Sequence, residues 1–219
     1  MKTENKSNKL ELKHIAPYLP YNLKWIVTCD NLEEDFSECD FPSGTLDKGT
    51  IWELFLLTTK DIEFWGGECS DMAFIDSNHN QISYCGGMKP ILRPLSDLAR
   101  EIEINGEKFV PIIELSKING FNYKFGEITN ENDTIVLYSE VDKHPSTQSP
   151  FIKHFFEVDL EDCDFDWGFV VFDENDSEEV ETVFFPVKNQ IELLNKLLEW
   201  NFDVFNLIPK GLAISYNEL

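Results

Sequence analysis

The run FDWGFVVFDENDSEEVETVFFPV, residues 165–187, sets two stretches rich in Phe, Val and Thr on either side of Asp173-Glu174-Asn175-Asp176-Ser177. Aromatic and β-branched side chains suit a pleated, half-buried surface, and Asn, Asp and Ser accept turn geometry, so the run predicts a β-hairpin. Just ahead of it, Asp162, Asp164 and Asp166 alternate with Cys163, Phe165 and Trp167, the period of a strand with one wet face. Antiparallel sheet is therefore the first expectation.

Working outward, EFWGGECSDMAFIDSNHNQISYCGGMKP (residues 63–90) repeats the pattern, with two short runs joined by the turn formers Asp76 to Asn80 and flanked by Gly-Gly pairs. This predicts another hairpin. TIVLYSEV (134–141) and IWELFLLTT (51–59) read as strands, the latter as a single buried one. LELKHIAPYLPYNLKWIVTCD (10–30) alternates apolar and polar residues around Pro17 and Pro20, and it predicts short edge strands or a strand and turn rather than a helix.

Two helices are expected. In KPILRPLSDLAREIEINGEKFVPIIEL (89–115), Pro94, Ser96 and Asp97 suit a helix start, and Leu95, Leu98, Ala99 and Ile102 follow helical spacing. Asn105-Gly106 then serves as a helix stop or a tight hairpin turn, and EKFVPIIEL returns as a strand. Arg93 and Arg100, the two arginines of the chain, would share one side of that helix and pair with the protein's own carboxylates. In NQIELLNKLLEWNFDVFNLI (189–208), Ile191, Leu194, Leu198, Phe202 and Phe205 form an apolar helical face flanked by Leu193, Leu197, Trp200 and Val204. The fold class is α+β: one domain over residues 1–219, mainly antiparallel sheet, with an amphipathic C-terminal helix and a short central helix.

Hydrophobic residues make up 42% of the 219 and aromatic residues 13%, ample material for a core, so the high charge does not imply disorder. No apolar run reaches the ~20 residues of a membrane helix, and MKTENKSNKLELKH lacks the apolar segment of a secretory signal. Five cysteines, Cys29, Cys39, Cys69, Cys85 and Cys163, stand at irregular spacing, which fits reduced thiols better than a disulfide framework. The expected location is the cytoplasm. The net charge of −23, from 18 basic and 41 acidic side chains, disfavours direct contact with nucleic acid or an anionic membrane.

Motifs for well-defined chemistry are missing: there is no nucleophile elbow, zinc-protease helix, phosphate-binding loop or dinucleotide fingerprint. No catalytic residue and no cofactor are assigned. His14, His79, His144 and His154 are scattered. Cys69, His79 and Cys85 on the first hairpin have zinc-ligand chemistry but lack a fourth ligand and finger spacing. Asp162, Asp164, Asp166 and Asp173, and likewise Asp76, Asn78 and Asn80, approach calcium-loop spacing. Trp167 and Gln81 stand where the loop glycine belongs, so no metal is assigned at either place.

Three strings, ELKHIAPYLPYNLK (11–24), KPILRPLSDLAREIEINGEKFVPI (89–112) and LLEWNFDVFNLIPKGLAI (197–214), resemble a group of small uncharacterised proteins encoded by phages, prophages and mobile elements of Bacteroidota. The resemblance implies an intracellular context in a bacterium. It carries no activity, ligand or site residue with it.

From Glu157 to Glu181 there are twelve acidic residues and no Lys or Arg. Asp159, Glu161, Asp162, Asp164, Asp166, Asp173, Glu174, Asp176, Glu178, Glu179 and Glu181 are the candidate partner-binding residues, which the hairpin is expected to gather on one exposed surface. The bland account is a solvated face. The functional one is an acidic phage protein that binds a basic or nucleic-acid-binding protein of the host, as an inhibitor whose surface imitates DNA. Two alternatives stand beside this non-catalytic reading: a metal-dependent hydrolase or nuclease using clustered carboxylates, and a structural or assembly component of a phage particle.

Overall fold

In the computed structural model the described residues are 10, 12–28, 48–53, 56–58, 73–75, 81–83, 88–121, 125–131, 133–139, 151–172 and 179–219. The chain divides into two units, Met1–Pro94 with Leu198–Leu219, and Leu95–Leu197. Helices and mostly antiparallel sheets make the class α+β, as expected. Among the described residues no helix is long and apolar enough to cross a membrane.

The first unit opens with a helix where the sequence suggested strands. Helix α1 (Leu12–Ile15) runs into a 3₁₀ helix (Ala16–Tyr21). Pro17 lies in the first turn of that 3₁₀ helix, where no backbone donor is needed, so proline suits a helix start here rather than a sheet edge. Ile15 and Tyr18, three apart, are both fully buried, and Asn22 ends the segment with φ of 54°.

Strand β1 (Lys24–Val27) then alternates, burying Trp25 and Val27, and pairs antiparallel with β2 (Ile51–Glu53) and β6 (Met88–Leu92). β14 (Ile214–Ser215) adds to β6 in parallel. The run 51–59 is split rather than continuous, because β3 (Leu56–Thr58) joins another sheet with β4 (Ala73–Ile75) and β5 (Gln81–Ser83). β4 and β5 form the first expected hairpin, while its connecting residues 76–80 and the Gly-Gly pairs lie outside the described residues. Leu10, Ile15, Tyr18, Leu23, Trp25, Val27, Met88, Leu92, Leu198, Leu207 and Ala213 make this unit's core.

One buried carboxylate organises the C-terminal segment. The Leu207 and Ile208 amides donate to Asp203 at 2.8 and 2.7 Å. The Tyr18 hydroxyl donates to the Phe202 carbonyl at 2.6 Å and accepts from the Val204 amide at 3.2 Å. Arg93 bridges to the same segment: its amide donates to the Asn201 carbonyl, and its carbonyl accepts from the Asp203 amide. The Arg93 guanidinium covers the Tyr216 ring at 4.2 Å, so this arginine is not on the central helix.

The second unit starts with a 3₁₀ turn (Leu95–Ala99) in place of the expected helix. Leu95, Leu98 and Ile102 of the anticipated stripe are buried, but Ile102 already belongs to strand β7 (Ile102–Ile104), which turns through Asn105 and Gly106 into β8 (Glu107–Phe109). Both turn residues have positive φ, 53° and 84°, which a tight two-residue hairpin requires. Pro111 then occupies the first turn of helix α2 (Pro111–Ile118), so PIIEL is helix, not strand. Arg100 pairs with Asp97 at 3.5 Å.

Five antiparallel strands follow in order β13-β12-β11-β10-β9: β9 (Phe125–Glu131), β10 (Thr134–Ser139), β11 (Phe151–Asp159), β12 (Phe165–Phe172) and β13 (Glu179–Pro186). β12 and β13 are the expected hairpin and β10 the expected strand, whereas β9 and β11 were not assigned from sequence. Ile135, Leu137, Phe156, Val158 and Phe165 are buried on one face of the sheet. Phe121, next after the turn that ends α2, meets Phe156 and Trp167 edge to face.

The last helix, α3 (Gln190–Glu199), is shorter than the 189–208 periodicity implied and turned to a different face. Leu193 and Leu197 are fully buried, while Ile191 is 78% exposed and Leu194 lies at the surface. Asn201, with φ of 58°, breaks the helix, so Phe202 and Phe205 do not continue its phase. The side chains of Asn189 and Gln190 fix the helix start, donating to the carbonyls of Ile118 and Phe165.

Burial pushes the Asp203 carboxyl above its ordinary range, against the lowering effect of the amides it accepts from and of Lys210. Asp203→Ala leaves two inner amides without an acceptor, and urea unfolding is expected to show a loss of about 2–4 kcal/mol. The folded carboxyl holds its proton more tightly than the unfolded one. Its contribution to stability therefore falls as pH rises from the ordinary carboxylate range to the raised value, and is flat above it. Asp203→Asn lacks that fall, so the stability of the wild type relative to this variant should decline with pH across that window.

Candidate functional site

Side chains alternate across a sheet, so the pairing of β9–β13 assigns each residue to the core face or to the opposite, open face. Glu157 pairs with Asp166 across β11 and β12, Phe155 with Gly168, and Gly168 with Phe184. Tyr138 pairs with both Phe155 and Glu127. This face carries Glu127, Tyr138, Lys153, Phe155, Glu157, Asp159, Asp166, Val170 and Phe184; Phe155 and Val170 are buried, and the face is open where Glu127, Asp166 and Phe184 are exposed.

Its centre is aromatic. The Phe155 ring meets Tyr138 at 6.4 Å and Phe184 at 5.3 Å, and Phe184 is 57% exposed. Phe155 lies over Gly168: a β-carbon there would sit 2.8 Å from the tip of the ring and collide with the Val183 carbonyl oxygen. Glycine thus admits the ring and the neighbouring strand together. Gly168→Ala is expected to cost about 1–3 kcal/mol in chemical denaturation, the range for overpacking a filled site.

At one end of this face Lys153 lies over the Tyr138 ring at 4.1 Å and pairs with Glu127 at 3.0 Å. Toward the other end, Glu157 faces Asp166 directly, with Asp159 two residues along. Among the described residues no Lys, Arg or His lies within ion-pair distance of these three. Half-burial, then Asp166 and Asp159, raise the Glu157 carboxyl above its ordinary range.

The sequence-derived candidates that fall among the described residues lie on more than one surface. Asp166 lies on the open face. Asp159 accepts from the Glu161 and Asp162 amides at 2.8 and 2.9 Å, which shapes the turn between β11 and β12. Glu161, Asp162 and Asp164 are exposed in or beside that turn, where Cys163 has φ of 56°. Glu181 pairs with Val171 and points to the other face. Glu179 begins β13, and Asp173, Glu174, Asp176 and Glu178 lie outside the described residues. So do Cys69, His79, Cys85, Asp76, Asn78 and Asn80. Among the described residues no three His, Cys, Asp or Glu side chains are grouped to hold a metal ion.

Tyr138, Lys153, Phe155, Glu157 and Phe184 were not picked out from sequence. The signal lay in FIKHFFEVD (151–159), where Lys153, Phe155, Glu157 and Asp159 recur at every second residue. In comparisons with known proteins, no family model, curated protein or solved structure matches the chain.

Like charges directly opposite on a sheet destabilise it. Glu157→Gln is expected to raise stability at neutral pH by about 0.2–1 kcal/mol. The gain should shrink in high salt, and shrink again in acid as Glu157 takes up its proton; thermal melts at varied pH and salt read both trends.

Proposed function

We propose that this chain is a non-catalytic cytoplasmic protein of a phage or mobile element that binds a basic or nucleic-acid-binding protein of its bacterial host. The open face of the five-stranded sheet is the binding surface. One observation carries the reading: Glu157 and Asp166 stand directly opposite each other with Asp159 beside them, uncompensated by a cation among the described residues, next to an exposed Phe184. A partner's Arg or Lys relieves that repulsion and speeds encounter, while Phe184 offers an apolar anchor. Five strands ~4.8 Å apart and ~3.3 Å per residue along eight-residue strands give a face on the order of 600 Å² in projection, near the ~800 Å² that each side of a standard interface contributes.

Within this reading the partner is a protein whose nucleic-acid site the acidic surface occupies, which makes the chain an inhibitor by DNA imitation. The hydrolase or nuclease alternative and the phage-assembly alternative predict other outcomes in the same experiment. Wild type, Glu157→Gln/Asp166→Asn and Phe184→Ala are immobilised and exposed to host lysate at low and high salt. A basic protein retained by the wild type, released by salt and by duplex DNA, and lost in both variants is the expected result. A partner held equally by all three forms overturns the reading. Retention of a second copy of the chain turns it toward assembly, and magnesium-dependent cleavage of DNA that Glu157→Gln abolishes turns it toward catalysis.

A further inference from the structure

Away from the open face, the second unit has an open cleft of about 260 Å³ lined by Asn119, Gly120, Phe121, Trp167, Lys188 and Asn189. Its wall is aromatic: Trp167 meets Phe121 edge to face at 5.3 Å and stacks on Phe185 at 4.6 Å, which holds the indole in place. Gly120 has φ of 92°, and a β-carbon there would meet nothing within 4 Å, so no side chain fills that side.

The polar groups are of two kinds. The side chain of Asn189 spends its amide nitrogen on the Ile118 carbonyl, which leaves the amide oxygen for another donor. Asn119 makes no side-chain hydrogen bond among the described residues. Lys188 is the distinctive group. Among the described residues of this unit Arg100, Lys108, Lys117 and Lys153 each lie within 4.0 Å of a carboxylate, and Lys196 also interacts, whereas Lys188 has no such partner. A chain of net charge −23 thus leaves a lysine uncommitted at the rim of an aromatic cleft.

We propose that this cleft binds a small aromatic acid, a one- or two-ring molecule carrying a carboxylate or a phosphate. The ring lies against Phe121 and Trp167, the Asn119 and Asn189 amides meet polar atoms on its edge, and the Lys188 ammonium takes the anionic group. The volume falls just below the ~300–1,000 Å³ of ligand pockets, which suits such a molecule better than a dinucleotide. This inference is independent of the proposed function, since none of the six residues belongs to the open face.

The test uses the full chain and four probes followed by saturation-transfer NMR: benzoate, indole-3-carboxylate, adenosine monophosphate and the neutral control benzamide. Saturation transfer to at least one acidic probe and a dissociation constant about tenfold weaker in Lys188→Ala are expected. Benzamide should bind more weakly than benzoate and be indifferent to that substitution. Preference for the carboxylates or for the nucleotide tells which acid the cleft takes. Lys188 is exposed, so the variant is expected to fold, and circular dichroism checks this. No transfer to any acidic probe at millimolar concentration, or equal affinity in wild type and Lys188→Ala, overturns the proposal. Asn119→Ala gives a second variant: it should weaken both indole-3-carboxylate and the nucleotide, and unchanged binding of both removes the amide from the site.

Discussion

The register of β10, β11 and β12 is the constraint on which the second unit depends. Side chains alternate every residue, so a one-residue slip of β11 and β12 would carry Glu157 and Asp166 to the buried face in place of Phe156 and Phe165. Burying unpaired carboxylates costs far more than any single aromatic contact returns. Two features hold β11 against β12, the fit of Phe155 over Gly168 and the turn that Asp159 shapes by accepting two amides, while the stack of Trp167 on Phe185 holds β13 against β12. The acidic character of the chain is thus compatible with its fold only because the alternation keeps these anions on the wet side.

Charge is then distributed with a clear asymmetry. Arg100, Lys108, Lys117 and Lys153 of the second unit sit beside carboxylates, on the 3₁₀ turn, the small hairpin, the helix and one end of the sheet, while Glu157, Asp159 and Asp166 have no cation beside them among the described residues. Lys153 shows how this surface treats a cation, which lies over Tyr138 and against Glu127. The same kinds of group, carboxylates and an aromatic ring, recur at Glu157, Asp166 and Phe184 without the cation. Among the described residues of the first unit the one deeply placed carboxylate, Asp203, does the opposite work: it faces inward and ties down backbone amides of its own segment.

Legibility in the sequence followed the range of the interactions. The hairpin of β12 and β13 was readable because its turn formers and its strands are neighbours in the chain. β9 and β11 were not, since FIKHFFEVD places Phe155 and Phe156 side by side and blurs the alternation that its other residues keep. The central segment was right about what is buried, Leu95, Leu98 and Ile102, and wrong about how, because a 3₁₀ turn followed by a strand buries the same residues as a helix would. The acidic run was visible as composition, yet its division among a turn and two sheet faces depends on pairing that composition does not encode. The cleft was invisible, since Asn119, Trp167 and Lys188 come from three separate segments.

By itself the sequence determined what local chemistry fixes: an α+β class, antiparallel hairpins, a C-terminal amphipathic helix, and a strong net negative charge beside ample aromatic material for a core. Only the tertiary structure decided the phase of that helix, the opposition of Glu157 and Asp166, and the seating of Phe155 on Gly168. Periodicity tells a strand which of its faces is apolar. Which strand lies beside it, and in what register, is set by packing between residues far apart in the chain, and there the arrangement of charge and aromatic surface is settled.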